Sequence, residues 1–349
     1  MIEKRRLGLT AAVILSIMLI AGSLVGCGTG KKEGSKGGGT NDADSKVEAN
    51  DFVLNTSCTI SVYGTDDQKL ADKGIEVCKK YEKVLSKTIK NSDVWKINNS
   101  GGNAVEVGDD TLKLIKKSLE FSKKTDGLFD ITIGGVTELW DFTSENPEVP
   151  SAQEIAKRLT HVDYDKIKIE GKKVQLTDPE TKIDLGAIAK GYIADRVADV
   201  LRKKGVKRAI INLGGNVVTI GEKQAGFPWK VGIEKPFSHG DGIVGVIKSS
   251  DNSIVTSGIY ERQFKKNGVL YHHVIDPRTG WPIKTDLEGV SIISEKSVDG
   301  DSISTSCLLL GFDKGMELVR KTEGVEAVFI KSGGEIVPTE KSGFQKIEN

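Results

Sequence analysis

The 349-residue chain is 38% hydrophobic, enough apolar material for one large folded unit or two lobes. Its 50 Lys and Arg face 49 Asp and Glu, a net charge of +1, so no chain-wide field is available to hold a nucleic-acid backbone. The four cysteines, Cys27, Cys58, Cys78 and Cys307, show no CxxC pairing or other zinc-like spacing.

Residues 1–27 combine a cationic start at Lys4, Arg5 and Arg6, an apolar run from about Leu7 to Ala21, and Leu24-Val25-Gly26-Cys27. The pattern resembles a bacterial lipoprotein signal, in which small Gly26 admits a signal peptidase and the Cys27 thiol is lipidated. An uncleaved anchor is the competing reading, but the run falls short of the ~20 apolar residues of a membrane span. With Cys27 lipidated, three thiols remain and cannot all pair within the chain; Cys78 and Cys307, on helical patterns, are expected buried and reduced. Residues 28–50, rich in Gly, Lys, Ser and Asp, cannot bury enough surface to fold and read as a flexible tether. The expected location is the cell membrane, lipid-anchored on its extracytoplasmic face.

From 51 to 349 no repeat or low-complexity break appears, so this stretch reads as one folded unit, whole or in two lobes. β-Branched residues predict a strand over Thr56–Tyr63, and apolar spacing predicts helices over Gln68–Leu85 and Thr111–Lys124. A short strand is expected to end at Ile183–Leu185, followed by a helix over Ala187–Leu201 that stops at Gly205. Strands follow at Ala209–Leu213, Val217–Ile220, Trp229–Ile233, Val244–Ile247 and Ile254–Ser257. Asn267-Gly268 tolerates the positive φ of a tight hairpin between Tyr260–Phe264 and Val269–Ile275. A strand at Val290–Ile293, helices at Gly300–Leu310 and Lys314–Thr322, and a strand pair at Ala327–Ile330 and Glu335–Val337 complete the chain. This mixture of meanders and helices predicts an α+β fold.

Three distant segments set polar groups beside glycine. In Asp184-Leu185-Gly186-Ala187-Ile188-Ala189-Lys190-Gly191, the glycines allow close backbone approach and the helix start offers amides to an anion; a strand-to-helix turn with a capping Asp fits as well. In Asp299-Gly300-Asp301-Ser302-Ile303-Ser304-Thr305, Asp301 and Thr305 share a helix face and present hard oxygens suited to Mg²⁺, although a cap with a solvated Thr explains the same letters. Third come Thr256-Ser257-Gly258, Tyr260, Arg262 and the run from His272 to Gly280. Adjacent His272 and His273 point to opposite faces of a strand, and His273 is the candidate to take a proton from an alcohol; a histidine bonded to backbone is the bland alternative. Asp276-Pro277-Arg278-Thr279-Gly280 is a turn by composition.

In order and spacing these segments, with Thr125 to Thr132 and Asn212-Leu213-Gly214-Gly215-Asn216, resemble the FAD:protein FMN transferases, the ApbE family, across nearly the whole chain after the tether. The resemblance implies a two-lobed α+β fold with mixed or antiparallel sheets, helices packed on them, and FAD in the groove between lobes. It implies a divalent ion, Mg²⁺, held by the Ala187 main-chain carbonyl, Asp301 and Thr305. FAD contacts would fall on Leu128, Phe129, Asp130, Asp184, Lys190, Thr256, Ser257, Gly258 and His273, and more weakly on Leu54 and Thr88. Leu54-Asn55-Thr56 stands where many relatives have Met-Gly-Thr, and Thr88 where some carry an aromatic ring, so stacking on the isoalloxazine is expected to differ. For Leu128 and Phe129 the competing reading is core packing. The implied reaction moves FMN from FAD to a Thr or Ser hydroxyl of an extracytoplasmic acceptor protein carrying a short motif, with AMP released, Asp301 and His273 being the catalytic residues. The alternatives are hydrolysis of FAD to FMN and AMP, a non-enzymatic flavin-binding lipoprotein, and a generic solute-binding lipoprotein.

Overall fold

The computed structural model describes residues 45–347 apart from His239. The signal, Cys27 and most of the expected tether lie outside the described residues. The main sheet has eight strands in the order β1-β2-β6-β7-β10-β13-β14-β15: Lys46–Val53, Thr56–Tyr63, Ala209–Leu213, Asn216–Ile220, Ser253–Gly258, Leu287–Ser294, Glu326–Lys331 and Ile336–Pro338. Every pairing between these strands is antiparallel. Helices α1 (Gln68–Leu85), α6 (Ala189–Lys203), α7 (Ser297–Leu310) and α8 (Phe312–Lys321) pack on it, so the expected α+β architecture is present.

A second sheet, β8 (Trp229–Glu234), β9 (Ile243–Ser249) and β16 (Phe344–Lys346), joins the main sheet through Val217, Ile254, Val328 and Ile330 on one side and Val231, Ile233 and Ile247 on the other. Covered on both sides, β7 is buried at every position, which is why Val217-Val218 does not alternate with polar residues. A small sheet of β3 (Val105–Glu106), β4 (Ile167–Glu170) and β5 (Lys173–Leu176) lies with α2 (Asp93–Asn98) and α3 (Asp109–Lys124). Helices α4 (Gly134–Trp140) and α5 (Ala152–Leu159) meet the hairpin β11 (Gln263–Lys266) and β12 (Val269–His272) in an aromatic cluster where Trp140 contacts Phe142, Tyr271 and Trp281.

Two expectations are corrected. Folded structure begins before residue 51, because Lys46–Val53 pairs along its whole length with β2. As an edge strand with alternate positions exposed, it carries the charged residues that read as tether. Ile183–Leu185 is not a strand: only Lys182 bridges to Ile133, and the Asn98 amide takes the place of a neighbouring strand. It accepts from the Ile183 N–H at 2.7 Å and donates to the Ile183 carbonyl at 2.9 Å. Cys58, Cys78 and Cys307 are all buried free thiols.

Gly74 lets α1 lie flat on β2, since a Cβ there would sit 2.9 Å from both γ-carbons of Ile60. Gly74→Ala is expected to cost about 1–3 kcal/mol in urea unfolding, the usual penalty of overpacking; an unchanged midpoint would mean that α1 sits further from the sheet.

Candidate active site

Several loops gather at one end of the main sheet. The β1–β2 turn places Leu54 and Asn55 in the left-handed region, at φ 60° and 56°. Leu54 is a bulky residue in a costly conformation, and outside bonds hold it there. Its N–H donates to Glu82 at 2.7 Å, and Arg262 donates to the Asn55 carbonyl at 3.1 Å. Next to this tip is the Gly214-Gly215 turn, where a Cβ on Gly214 would overlap Thr56. Lys190, from the first turn of α6, reaches the Gly214 carbonyl at 3.4 Å, and the Gly215 carbonyl accepts from the Thr256 N–H at 3.2 Å.

The 184–188 turn is fixed by its own aspartate. Asp184 accepts from the Gly186 N–H at 2.8 Å, from Lys87 at 2.8 Å and from Thr137 at 3.2 Å. Burial alone would raise its carboxyl pKa, but Lys87 and these donors hold it below the usual carboxylate range. Asp184 therefore acts on the turn, and through Lys87 it draws the exposed Thr88 loop beside it. Asp130 similarly bonds the N–H and hydroxyl of Thr132, both at 2.7 Å, while Phe129 packs on Phe121 in the core. Leu128, also largely buried, lines a cavity of about 440 Å³ with Arg278, Lys284 and Lys314. For Leu128 and Phe129 the core-packing reading describes what their side chains touch.

The centre of the site is the crossing of α6 and α7. Gly191 has no Cβ to strike the Ser297 carbonyl, and one placed there would also lie 2.8 Å from the Asp301 Cβ. The closeness lets the Asp301 carboxylate accept the Gly191 N–H at 2.8 Å. In an uninterrupted helix that N–H would bond the carbonyl four residues back, at Ala187. Asp301 takes the donor instead, and among the described residues no hydrogen bond to the Ala187 carbonyl, in the turn that leads into α6, is found. Burial pushes the Asp301 pKa up, against the pull of Lys190 and the Gly191 N–H. In α7 the hydroxyls of Ser302, Ser304 and Ser306 all bond back to the helix, whereas Thr305, one turn on from Asp301, does not. Ser257 meets Ser304 at 2.8 Å and Thr256 meets Ser291 at 2.8 Å. Gly258 makes room for the Tyr260 ring.

His272 points inward, its Nε2 at 3.2 Å from the Ile283 carbonyl. His273 lies just past β12, and its Nδ1 is buried without a partner. Burial, with Arg262, His272 and Lys190 nearby, lowers its pKa to about 3. The site thus joins Leu54, Lys190, Thr256 to Gly258, His273, Asp301 and Thr305, with Asp184 and the Thr88 loop behind the Ala187 turn.

Other members were not legible. Glu261 bonds the Gly258 N–H at 3.1 Å and shares the field of Lys190, Arg262 and Asp301. Asn216 is wholly buried beside Asp301, and its amide opposes the upward push of burial on the Asp301 carboxyl. Asp195 on α6 accepts from the Ser297 and Val298 amides at 2.8 and 3.0 Å, capping α7. Asn216 closes the Asn212 to Asn216 stretch that carries the resemblance, which gave it no role of its own, and Glu261 lies between the already noted Tyr260 and Arg262.

Residues 54–329 match the profile of the ApbE family. A FAD:protein FMN transferase of Klebsiella pneumoniae (strain 342) is 36% identical over 84% of this chain and 92% of its own. The ApbE protein of Thermotoga maritima superposes with a TM-score of 0.78 at 34% identity, over 85% of this chain and 97% of that one. The flavin transferase ApbE from Vibrio cholerae gives 0.74 at 25%, over 87% and 96%.

With its pKa lowered, His273 in the ligand-free protein stays neutral from pH 8 to well below 5. Its share of folding stability is present above the unfolded value of 6.5 and is lost as pH falls toward about 3. The His273 ring signals in NMR should therefore not titrate between about pH 5 and 8, and a midpoint near the ordinary 6.5 would contradict the burial described.

Proposed function

The chain belongs to the ApbE family, and from that membership we propose that it is a Mg²⁺-dependent FAD:protein FMN transferase acting on a Thr or Ser of an extracytoplasmic acceptor. The observation that carries the reading is the Asp301 bond to the Gly191 N–H, which fixes a buried carboxylate against the first turn of α6, just after an Ala187 carbonyl that no donor among the described residues reaches.

The donor set fits a hard divalent ion. Among the described residues no group of three or more His, Cys, Asp or Glu is close enough to hold a metal. A cation here therefore rests on Asp301, the Ala187 carbonyl and Thr305, a sparse oxygen set of the kind Mg²⁺ accepts when phosphate supplies the rest. When bound, Mg²⁺ neutralises charge on the diphosphate.

The protein's own groups do the rest. FAD lies in the groove between lobes, with the diphosphate toward Lys190, whose ammonium offsets charge on its non-bridging oxygens. Leu54, held in its strained turn, and Thr88 face the flavin side, while Thr256 to Gly258 line the groove. An acceptor hydroxyl attacks the FMN-side phosphorus. A P–O bond to the acceptor forms, the P–O bond to AMP breaks, and the hydroxyl proton passes to neutral His273. His273 is in the correct state to accept it at neutral pH, and the anionic substrate offsets the Arg262 and Lys190 charges that add to the effect of burial on its basicity. Lipidation at Cys27 would keep the enzyme at the outer face of the membrane, with acceptors presented there.

The test is incubation with FAD, Mg²⁺ and a Thr-bearing candidate acceptor, followed by mass spectrometry for added FMN. Asp301→Ala should reduce transfer by about 10²-fold or more while thermal unfolding stays cooperative. His273→Ala should slow transfer by roughly 10²–10⁴-fold and leave FAD binding within a few-fold. Free FMN without labelled acceptor would replace transfer by hydrolysis, and intact FAD after hours would leave only binding. Full activity of Asp301→Ala would remove the cation assignment.

A further inference from the structure

The strands give the domain two ends. β2 starts at Thr56 beside the Leu54-Asn55 tip and finishes at Tyr63; β6 starts at Ala209, opposite Val62, and finishes beside Gly214; α6 runs from the Ala187 turn to Lys203. The candidate active site occupies the first end. Eight residues of β2 at ~3.3 Å each put the other end about 25 Å away.

At that second end is a cavity of about 460 Å³ whose walls include Tyr63, Gly64, Thr65, Lys204, Lys207 and Arg208. The Gly64 N–H donates to the Ser45 carbonyl at 2.8 Å, so the chain arriving from residues 28–44 enters the fold along this wall. Arg208 is held by a 2.9 Å bond to the Lys223 carbonyl. Lys204 and Lys207 are exposed and belong to no ion pair among the described residues, unlike Arg202, which meets Asp251 at 3.2 Å. Cations at the end of α6 answer the negative end of the helix dipole, which explains Lys203 and Lys204 but not Lys207, three residues beyond. Among the described residues, the acidic groups at this end that lack an ion pair are Asp66, Asp67 and Glu222. Asp67 caps α1, and Glu222 bonds the Gly226 N–H.

We propose that this basic cavity rests on an anionic bilayer, with the phosphates of acidic lipid headgroups entering beside Lys204 and Lys207. The proposal builds on the lipid anchor at Cys27 and adds an orientation: the end that receives the chain faces the membrane, and the active site faces away from it, toward acceptors. Two observations converge on one end of the domain, a cavity lined by Lys204 and Lys207, which form no ion pair among the described residues, and the entry of the chain at Ser45. Each basic group near an acidic leaflet adds a small attraction, screened by salt, and a tether raises the local concentration at which such weak contacts operate.

The experiment uses the mature chain carrying Cys27→Ser, so that no lipid is attached, with vesicles of phosphatidylcholine alone or mixed equally with phosphatidylglycerol. Binding should be roughly tenfold tighter on the acidic vesicles at low ionic strength and should vanish in high salt. The double variant Lys204→Glu/Lys207→Glu should lose that preference and keep FMN transfer to a soluble acceptor unchanged. Equal binding to both vesicle types, an unaffected double variant, or affinity for inorganic phosphate without vesicle preference would overturn the proposal. The anchor is read separately, from whether the unmodified chain fractionates with membranes and the Cys27→Ser chain does not. That result can fail while the vesicle result stands.

Discussion

Everything at the candidate site depends on two helices that cap each other. Asp195 on α6 accepts the first two amides of α7, and Asp301 on α7 accepts an amide from the first turn of α6. A helix start leaves several N–H groups without internal partners and carries partial positive charge, so a carboxylate at each start is favourable. Here each carboxylate comes from the other helix. A cap is worth ~1 kcal/mol, little beside the packing of α6 and α7, so the consequence is chiefly one of register. If either helix slides by a residue, both caps are lost together. Gly191 sets the distance at which the arrangement is possible.

The remaining parts follow from that crossing. Because Asp301 claims the Gly191 N–H, Ala187 sits in a turn whose carbonyl has no helical partner, and Asp184 then stabilises the turn from its other side. Lys87 and Thr137 bind the same Asp184 carboxylate, which ties the α1–α2 connection and α4 to the turn. Lys190 follows three residues after Ala187 and projects to Gly214, so the α6 turn and the β6–β7 turn are fixed relative to one another. The strain at Leu54 belongs to the same network, since Arg262 holds the hairpin tip with its guanidinium and takes the His273 N–H on its carbonyl.

Much of this was legible in the sequence where glycine or strong periodicity marked it. The strand at Thr56–Tyr63 and the helix at Gln68–Leu85 appear with the expected bounds, because each buries one continuous apolar face. α4 and α5 were not anticipated: both are short, and what holds them is an aromatic cluster assembled from Trp140, Tyr271 and Trp281, far apart in the chain. β1 was hidden by its charged solvent face, and the Ile183 segment looked like a strand because Asn98 satisfies its backbone from a distance. At the site, Asp184, Lys190, Asp301 and Thr305 stand beside glycines or share a helix face, which are local signals. Asp195, Asn216 and Glu261 are single polar residues whose roles come only from what lies across the fold.

The sparse oxygen set at Asp301 carries a consequence for the order of events. A lone carboxylate, already sharing one oxygen with the Gly191 N–H, gives a hard divalent ion little reason to stay by itself, and burial further disfavours the charged acid. Lys190 nearby adds repulsion toward a bare cation. A diphosphate reverses each of these terms: it brings oxygens for the ion, negative charge for Lys190, and a reason for Asp301 to remain ionised. Under the proposed function, cation and dinucleotide therefore strengthen one another's binding by the same factor, as linkage requires. A site built so is weak toward either alone and selective for the pair.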